Sequence, residues 1–269
     1  MLPPSRAAFI LQPLLAALTG LRLGRPLHLH TEIGSTNDEA KQLAEAGAPE
    51  GLLVLAETQT AGRGRHGRRW LTPPGSGLAL SLVLRPRLAA RYAARVTMLA
   101  GVAVCEALEQ VSGVRAALKW PNDVLINGRK AAGILVETGL SGERLDYLVL
   151  GIGLNVSQAP PPEAVLYPAT SVEAEAGQPV DRVALLRAIL ERLGRHYPDL
   201  APDSDRLHAA WLARLLWLGQ RVVAQSADGD YDGAMAGAAE DGALLIRLEG
   251  GEVRRVVAGE VSLRVIGNS

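Results

Sequence analysis

Apolar positions recur in two rhythms along this chain, and the change of rhythm divides it. Leu11, Leu14, Leu15 and Leu18 stand at helical spacing and predict a short helix over residues 9–23. Leu27 and Leu29 then alternate with His28 and His30, which predicts a strand over residues 26–33 with the histidines on its second face. Polar Ser35, Thr36 and Asn37 precede a helical run over residues 39–46 and suit its N-terminus, where free amides also receive polar or anionic ligands. Strands follow at residues 52–56 and 78–84, a buried helix at 91–111, and a strand at 114–120. Asn127-Gly128 between Val124-Leu125-Ile126 and Arg129-Lys130 fits a type I′ hairpin turn, and residues 133–137 and 145–156 supply further strands.

Strands joined by hairpins predict an α+β unit: a mixed, largely antiparallel sheet with helices on one side. A proline-rich loop over residues 157–169 holds Pro160, Pro161, Pro162 and Pro168. Asp181 caps a helix over 182–193, and Asp203 or Ser204 opens another that runs to Leu218. After Gly219 the helical rhythm stops. Short alternating segments at 221–224, 234–238, 243–248 and 253–257, separated by Asp-Gly and Gly-Gly turns, predict a small β-barrel. The expected organisation is a lead-in over 1–27, a main unit over 28–218 and the barrel over 219–269.

Composition changes this picture in two places. Hydrophobic residues at 48% against 21% charged supply a sizeable core and exclude global disorder. The formal net charge is zero, so nothing global draws the chain to nucleic acid or to an anionic membrane. The charge is nevertheless uneven. No Asp or Glu lies between Glu57 and Glu106, while Arg63, Arg65, Arg68, Arg69, Arg85, Arg87, Arg91 and Arg95 do, a local field suited to a small anionic substrate. The single cysteine, Cys105, excludes an internal disulfide and sits in an apolar run as a packing residue. The apolar stretch after Arg6 imitates a signal peptide, but Gln12-Pro13 interrupts it and no cleavage pattern follows. No run is long enough to span a membrane, and a cytoplasmic protein is expected.

Gly62-Arg63-Gly64-Arg65-His66-Gly67-Arg68-Arg69-Trp70 is the densest chemistry in the chain. Glycines let the backbone turn its amides toward a ligand, arginines offer forked donors to carboxylate or phosphate, and Trp70 offers a flat face to a base. The spacing also matches the dinucleotide fingerprint. That fingerprint requires a helix directly after the glycines and an acid about 20 residues on. Thr72-Pro73-Pro74-Gly75 cannot start a helix and no acid appears before Glu106, so the fingerprint reading fails. The loop is expected to act as a lid whose ordering depends on ligand. His28 and His30 are candidate metal ligands, but no carboxylate or cysteine cluster joins them along the chain, so they read as a solvated strand face.

Five segments together resemble the biotin protein ligases: Ser35-Thr36-Asn37; Gln59 with the arginine loop; Lys119-Trp120-Pro121-Asn122-Asp123; Lys130 with Ala131-Ala132-Gly133-Ile134-Leu135-Val136-Glu137; and Gly151-Ile152-Gly153-Leu154-Asn155. They stand in the family's order, and the tail through Gly259-Glu260-Val261-Ser262-Leu263 looks like its SH3-like C-terminal domain. The resemblance covers about residues 28–266 and implies a class II synthetase-like catalytic fold followed by that SH3-like barrel. It implies that biotin and ATP form biotinyl-5′-AMP, and that a lysine of a biotin carboxyl carrier domain then displaces AMP. Many bacterial members begin with a winged-helix domain and act as repressors. The short lead-in here gives the expectation of a ligase without operator binding and without a nucleic-acid partner.

By the same resemblance Ser35, Thr36, Asn37 and Gln59 meet the biotin head, and Arg63-Gly64-Arg65 closes over biotin and the adenylate. Arg63, Arg65, Arg68 and Lys130 serve ATP, Lys130 holds the biotin carboxylate as well as the α-phosphate oxygens, Trp70 stacks on adenine, Gly133 and Gly153 admit the ligand to the backbone, and Asn155 offers a polar contact. Lys130, Arg65 and Asp123 are the implied catalytic set, with Mg²⁺ carried on the phosphates rather than by protein ligands. Asp123 stands either as the acceptor's proton partner or as a turn residue, and Lys119 either pairs with Asp123 or touches substrate. Trp120 reads as core. A lipoate–protein ligase lacks support because the Arg-Arg-x-Ser-Gly-Gly-Gly type of loop is absent, and a nucleic-acid module built on the arginine loop is the rival of another class. A homodimer is compatible with the sequence, which does not specify the oligomeric state.

Overall fold

The structure, a computed structural model, describes residues 8–141, 144–226, 229–257 and 262–265. Arg6 and Gly259-Glu260-Val261, which carried two of the expectations above, lie outside the described residues.

Seven strands make the main sheet: β1 (Leu27–Ile33), β2 (Leu53–Gln59), β3 (Gly77–Leu84), β4 (Ala117–Lys119), β5 (Asp123–Ile126), β6 (Arg129–Ser141) and β7 (Arg144–Asn155). Their spatial order is β1-β2-β3-β7-β6-β5-β4. β1 and β2 run parallel, and each other neighbouring pair runs antiparallel. The expected Asn127-Gly128 turn joins β5 to β6 with φ of 48° and 75°, the left-handed pair that a type I′ turn requires.

β3 is buried at every position, which explains why Leu-Ala-Leu-Ser-Leu-Val-Leu shows no clean alternation of apolar and polar residues. Its two faces serve different layers. Leu80, Leu82 and Leu84, with Leu53, Leu55, Leu148 and Leu150, pack against α3 (Ala94–Ser112), α5 (Arg182–His196) and α6 (Asp205–Leu212). Val83, with Val54, Tyr147 and Val149, packs against Ala40 and Ala44 of α2 (Thr36–Glu45). The expectation of helices on one side is therefore corrected. A strand apolar on both faces demands a cover on each, and each Leu or Val so buried contributes about 1.5–3 kcal/mol.

α3 carries one buried charge. The Arg95 side chain is fully enclosed, and its guanidinium donates to the carbonyls of Asp199, Leu200, Ala201 and Ser204 at 2.8–3.0 Å and of Glu240 at 3.4 Å. Carbonyl dipoles at every fork offset the cost of burying the cation.

The C-terminal region forms a separate antiparallel sheet, in the order β11-β10-β9-β8-β12, from β8 (Arg221–Ser226), β9 (Gly229–Ala238), β10 (Leu244–Leu248), β11 (Val253–Val256) and β12 (Ser262–Val265). Trp120 is core as expected, and its indole Nε1 donates to the Gly242 carbonyl, in the turn between β9 and β10, at 2.9 Å.

Several bounds differ from the sequence reading. The first helix is only α1 (Leu11–Ala17), followed by Gly20 at φ 81°. The 114–120 strand shrinks to β4, and α6 ends at Leu212 rather than at Leu218. A short α4 (Val172–Ala176), capped by Ser171, had no apolar period long enough to announce it. Asp181 caps α5 as expected, accepting from the amides of Val183 and Ala184. No helix among the described residues is long and apolar enough to cross a membrane.

Candidate functional site

On the α2 face of the sheet, β7 changes abruptly from Tyr147 and Val149 to Gly151 and Gly153, while β6 places Gly133 directly opposite Gly153. Losing three side chains from one face leaves a hollow, and a cavity of about 1170 Å³ stands there. The glycines are required by what lies on them. A Cβ at Gly151 would come within 2.1 Å of Asn37 Oδ1, and one at Gly153 within 2.3 Å of the Trp70 ring. Asn37 and Trp70 thus mark two ends of one floor.

The Asn37 end is a closed hydrogen-bond network. Ser35 is the N-cap of α2 but makes no side-chain capping bond. The backbone N–H and Oγ1 of Thr36 instead donate to Gln59 Oε1 at 2.8 and 3.0 Å. Ser81 Oγ lies 2.6 Å from Asn37 Oδ1 and 2.8 Å from Thr36 Oγ1, so one proton serves two acceptors. Asn37 Nδ2 donates to Glu137 Oε2 at 2.7 Å. Arg63 donates to that same oxygen at 2.6 Å and pairs with Asp38 at 2.8 Å. Ser35, Thr36, Asn37 and Ser81 are all buried, which makes each of these bonds expensive to break.

The Trp70 end is cationic. The arginine loop is a tight hairpin: Gly64 N–H donates to Arg68 O at 2.7 Å and Trp70 N–H to Gly62 O at 2.9 Å. At its tip His66 and Gly67 take φ of 56° and 70°, the left-handed region that makes a glycine necessary there. No helix follows, in keeping with the failed dinucleotide fingerprint. The hairpin lays Trp70 over Gly133 and Gly153, with Lys130 Nζ 5.7 Å from the ring. Trp70 Nε1 and Asn155 Oδ1 are buried without a hydrogen-bond partner among the described residues, a donor and an acceptor left over for a ligand.

Lys130 Nζ sits 2.6 Å from Asp123 Oδ1. Asp123 thus pairs with Lys130, whereas the sequence left Lys119 open between pairing with Asp123 and touching substrate. Lys119 lies instead 3.8 Å from the Tyr167 ring and 5.8 Å from that of Trp217. Burial lowers the Lys119 ammonium below the ordinary lysine range, with Lys130 and Arg68 acting in the same direction and Asp123 opposing. Burial likewise draws the Arg65 guanidinium down from its usual value. Both shifts express the cost of taking a cation out of water.

Every site residue expected from the sequence lines this one cavity: Ser35, Thr36, Asn37, Gln59, Arg63, Gly64, Arg65, Arg68, Trp70, Asp123, Lys130, Gly133, Gly153 and Asn155. Lys119 does too. The sequence reading missed Tyr167 and Trp217 in the wall and Ser81 and Glu137 in the network behind Asn37. Asp123 is the single carboxylate among the described lining residues, and it is engaged by Lys130. Away from the cavity, Glu39 of α2 joins His28 and His30, a grouping that chain order concealed.

Comparison with known proteins gives a consistent result. Residues 31–155 match the Biotin/lipoate A/B protein ligase family, and residues 217–264 match the Biotin protein ligase C terminal domain. The chain is 40% identical over 223 residues to a Biotin--[acetyl-CoA-carboxylase] ligase of Paracoccus denitrificans, covering 79% of this chain and 90% of that one. It is 35% identical to the Bifunctional ligase/repressor BirA of Bacillus subtilis, covering 90% of this chain and 75% of that protein. Among solved structures, a biotin protein ligase from Aquifex aeolicus in complex with biotin and ATP superposes with a TM-score of 0.77 at 32% identity, over 90% of this chain and all of that one.

Proposed function

Because this chain belongs to the biotin protein ligase family and is a ligase, we propose that it forms biotinyl-5′-AMP from biotin and ATP and passes the biotinyl group to a lysine of a carboxylase's carrier domain. The observation that carries this reading is the joining, on one glycine floor, of a hydrogen-bonded end whose charges are paired and a cationic end. A molecule with an uncharged polar head and a carboxylate tail fits the first. A nucleotide fits the second.

In the first step a biotin carboxylate oxygen attacks the α-phosphorus, and the bond to the bridging oxygen breaks to release pyrophosphate. The carboxylate is already ionised at neutral pH, so no base is needed. The obstacle is repulsion between two anions. Arg65, Arg68 and Lys130 offset it by charge already in position, the preorganised electrostatic mode. ATP enters as its magnesium complex, the ion riding on the phosphates. Ser35, Thr36, Asn37 and Gln59 hold the head, Arg63 and Gly64 close beside it, Gly133 and Gly153 admit the ligand to the backbone, Trp70 stacks on adenine and Asn155 contacts the nucleotide.

In the second step the acceptor's neutral amine attacks the acyl carbon, AMP leaves with the C–O bond electrons, and the amine loses a proton. Asp123 receives that proton, its carboxylate held by Lys130 in the free enzyme. The domain limits follow the same reading: a lead-in over 1–27, a catalytic domain over 28–218 and an SH3-like domain over 219–269. Labelled biotin with ATP, with and without a carrier domain, tests the whole proposal. Retained adenylate alone and labelled carrier on addition are expected; neither product would reject it. Asp123→Ala should slow transfer from preformed adenylate, and an unchanged rate would remove Asp123 from its role.

A further inference from the structure

The edge strand of the main sheet carries a second chemistry, independent of the cavity. His28 and His30 project from one face of β1, and Glu39, on the first turn of α2, lies over them. His28 Nδ1 lies 3.7 Å from Glu39 Oε1, and His30 Nε2 lies 3.8 Å from the same oxygen. These separations exceed the 2.7–3.2 Å or so of a hydrogen bond. They come within a few tenths of an ångström of the edge of a coordination tetrahedron, about 3.4 Å for bonds of about 2.0–2.1 Å. The three atoms all lie within 4.8 Å of one another. His30 Nε2 is buried without a hydrogen-bond partner among the described residues, so its lone pair or proton has nothing else to meet.

We propose that His28, His30 and Glu39 form a binding site for a divalent transition-metal ion of the zinc or cobalt type. Two imidazoles and one carboxylate are the donor set such ions prefer, and a set of three leaves the outward position to water. All three side chains remain about a third exposed, at 37, 31 and 27%, so the ion can enter from solvent. The ligands come from two elements. Glu39 follows Thr36 and Asn37 by one turn or less, so the ion would pin the start of α2 to β1 just behind the hydrogen-bonded end of the cavity.

Titration of the untagged, metal-free protein with Co²⁺ tests this. One equivalent should bind and give the intense visible absorption of a low-coordinate imidazole site. Separate His30→Gln and Glu39→Gln variants should each weaken binding more than tenfold, while His196→Gln, remote from the cluster, should leave it unchanged. Zn²⁺ should raise the melting temperature of the parent protein and EDTA should reverse the gain, with no gain in either cluster variant. Absence of Co²⁺ binding, or binding that His30→Gln and Glu39→Gln leave intact, would overturn the proposal.

Discussion

The two ends of the cavity share a floor but differ in how complete they are before any ligand arrives. At the Asn37 end, Gln59, Thr36, Ser81, Asn37, Glu137 and Arg63 form an unbroken chain of hydrogen bonds, largely buried. At the Trp70 end, an indole N–H and an amide oxygen lack hydrogen-bond partners among the described residues, and burial lowers the Lys119 ammonium below its ordinary range. The first end is a preformed mould that recognises shape and polarity at little further cost. The second keeps polar atoms that a ligand can engage. On the proposed function, this division separates selectivity from catalytic charge.

That division can be broken most severely at Lys130. Lys130→Ala should lower adenylate formation by about 100- to 1000-fold, the scale of removing one preorganised charge donor. Biotin binding alone should fall far less, by the loss of one carboxylate contact, and pyrophosphate release together with biotin calorimetry reads both. Loss of both together would mean the ends are not separable.

A matched pair of glycine variants sharpens the contrast. Gly153→Ala drives a methyl to 2.3 Å from Trp70, and Gly151→Ala drives one to 2.1 Å from Asn37 Oδ1. The former should weaken ATP binding about tenfold or more, and the latter biotin binding by a similar factor, about 1.4 kcal/mol each. Crossed effects would dissolve the distinction. Ser81→Ala is gentler: it removes one hydroxyl from the closed end and should cost about 1 kcal/mol in biotin affinity with ATP untouched. The smallest effect belongs outside both ends. Burial pushes the Cys105 thiol up to about 12, so at pH 8 it stays protonated and should resist alkylation until the protein unfolds. Fast labelling of the native protein would contradict this.

What the sequence disclosed, and what it withheld, follows contact range. The arginine loop, Lys119 to Asp123 and the glycines of β6 and β7 were legible because each motif is local and its chemistry is carried by residue type. Ser81 stayed hidden because it reads as one more position in an apolar strand, and only the pairing of β3 with its neighbours aims it at Asn37. Glu39 stayed hidden for the opposite reason. It looks like an ordinary acid in the first turns of a helix until α2 folds onto β1. Tyr167 and Trp217 came from a proline-rich loop and from the turns after α6, where no periodicity predicts which way a ring will face. The two-sided cover of the sheet was missed because a fully buried strand and a one-sided one differ only in the residues that should have been polar.

The Trp120 bond to Gly242 ties one rim of the cavity to the smaller sheet. Trp120 stands immediately after Lys119 and three residues before Asp123, and its far edge is fastened to the turn between β9 and β10. Arg95 holds the Glu240 carbonyl of the same turn. The placement of Lys119 and Asp123 on the cavity rim therefore depends on how the smaller sheet is seated against α3.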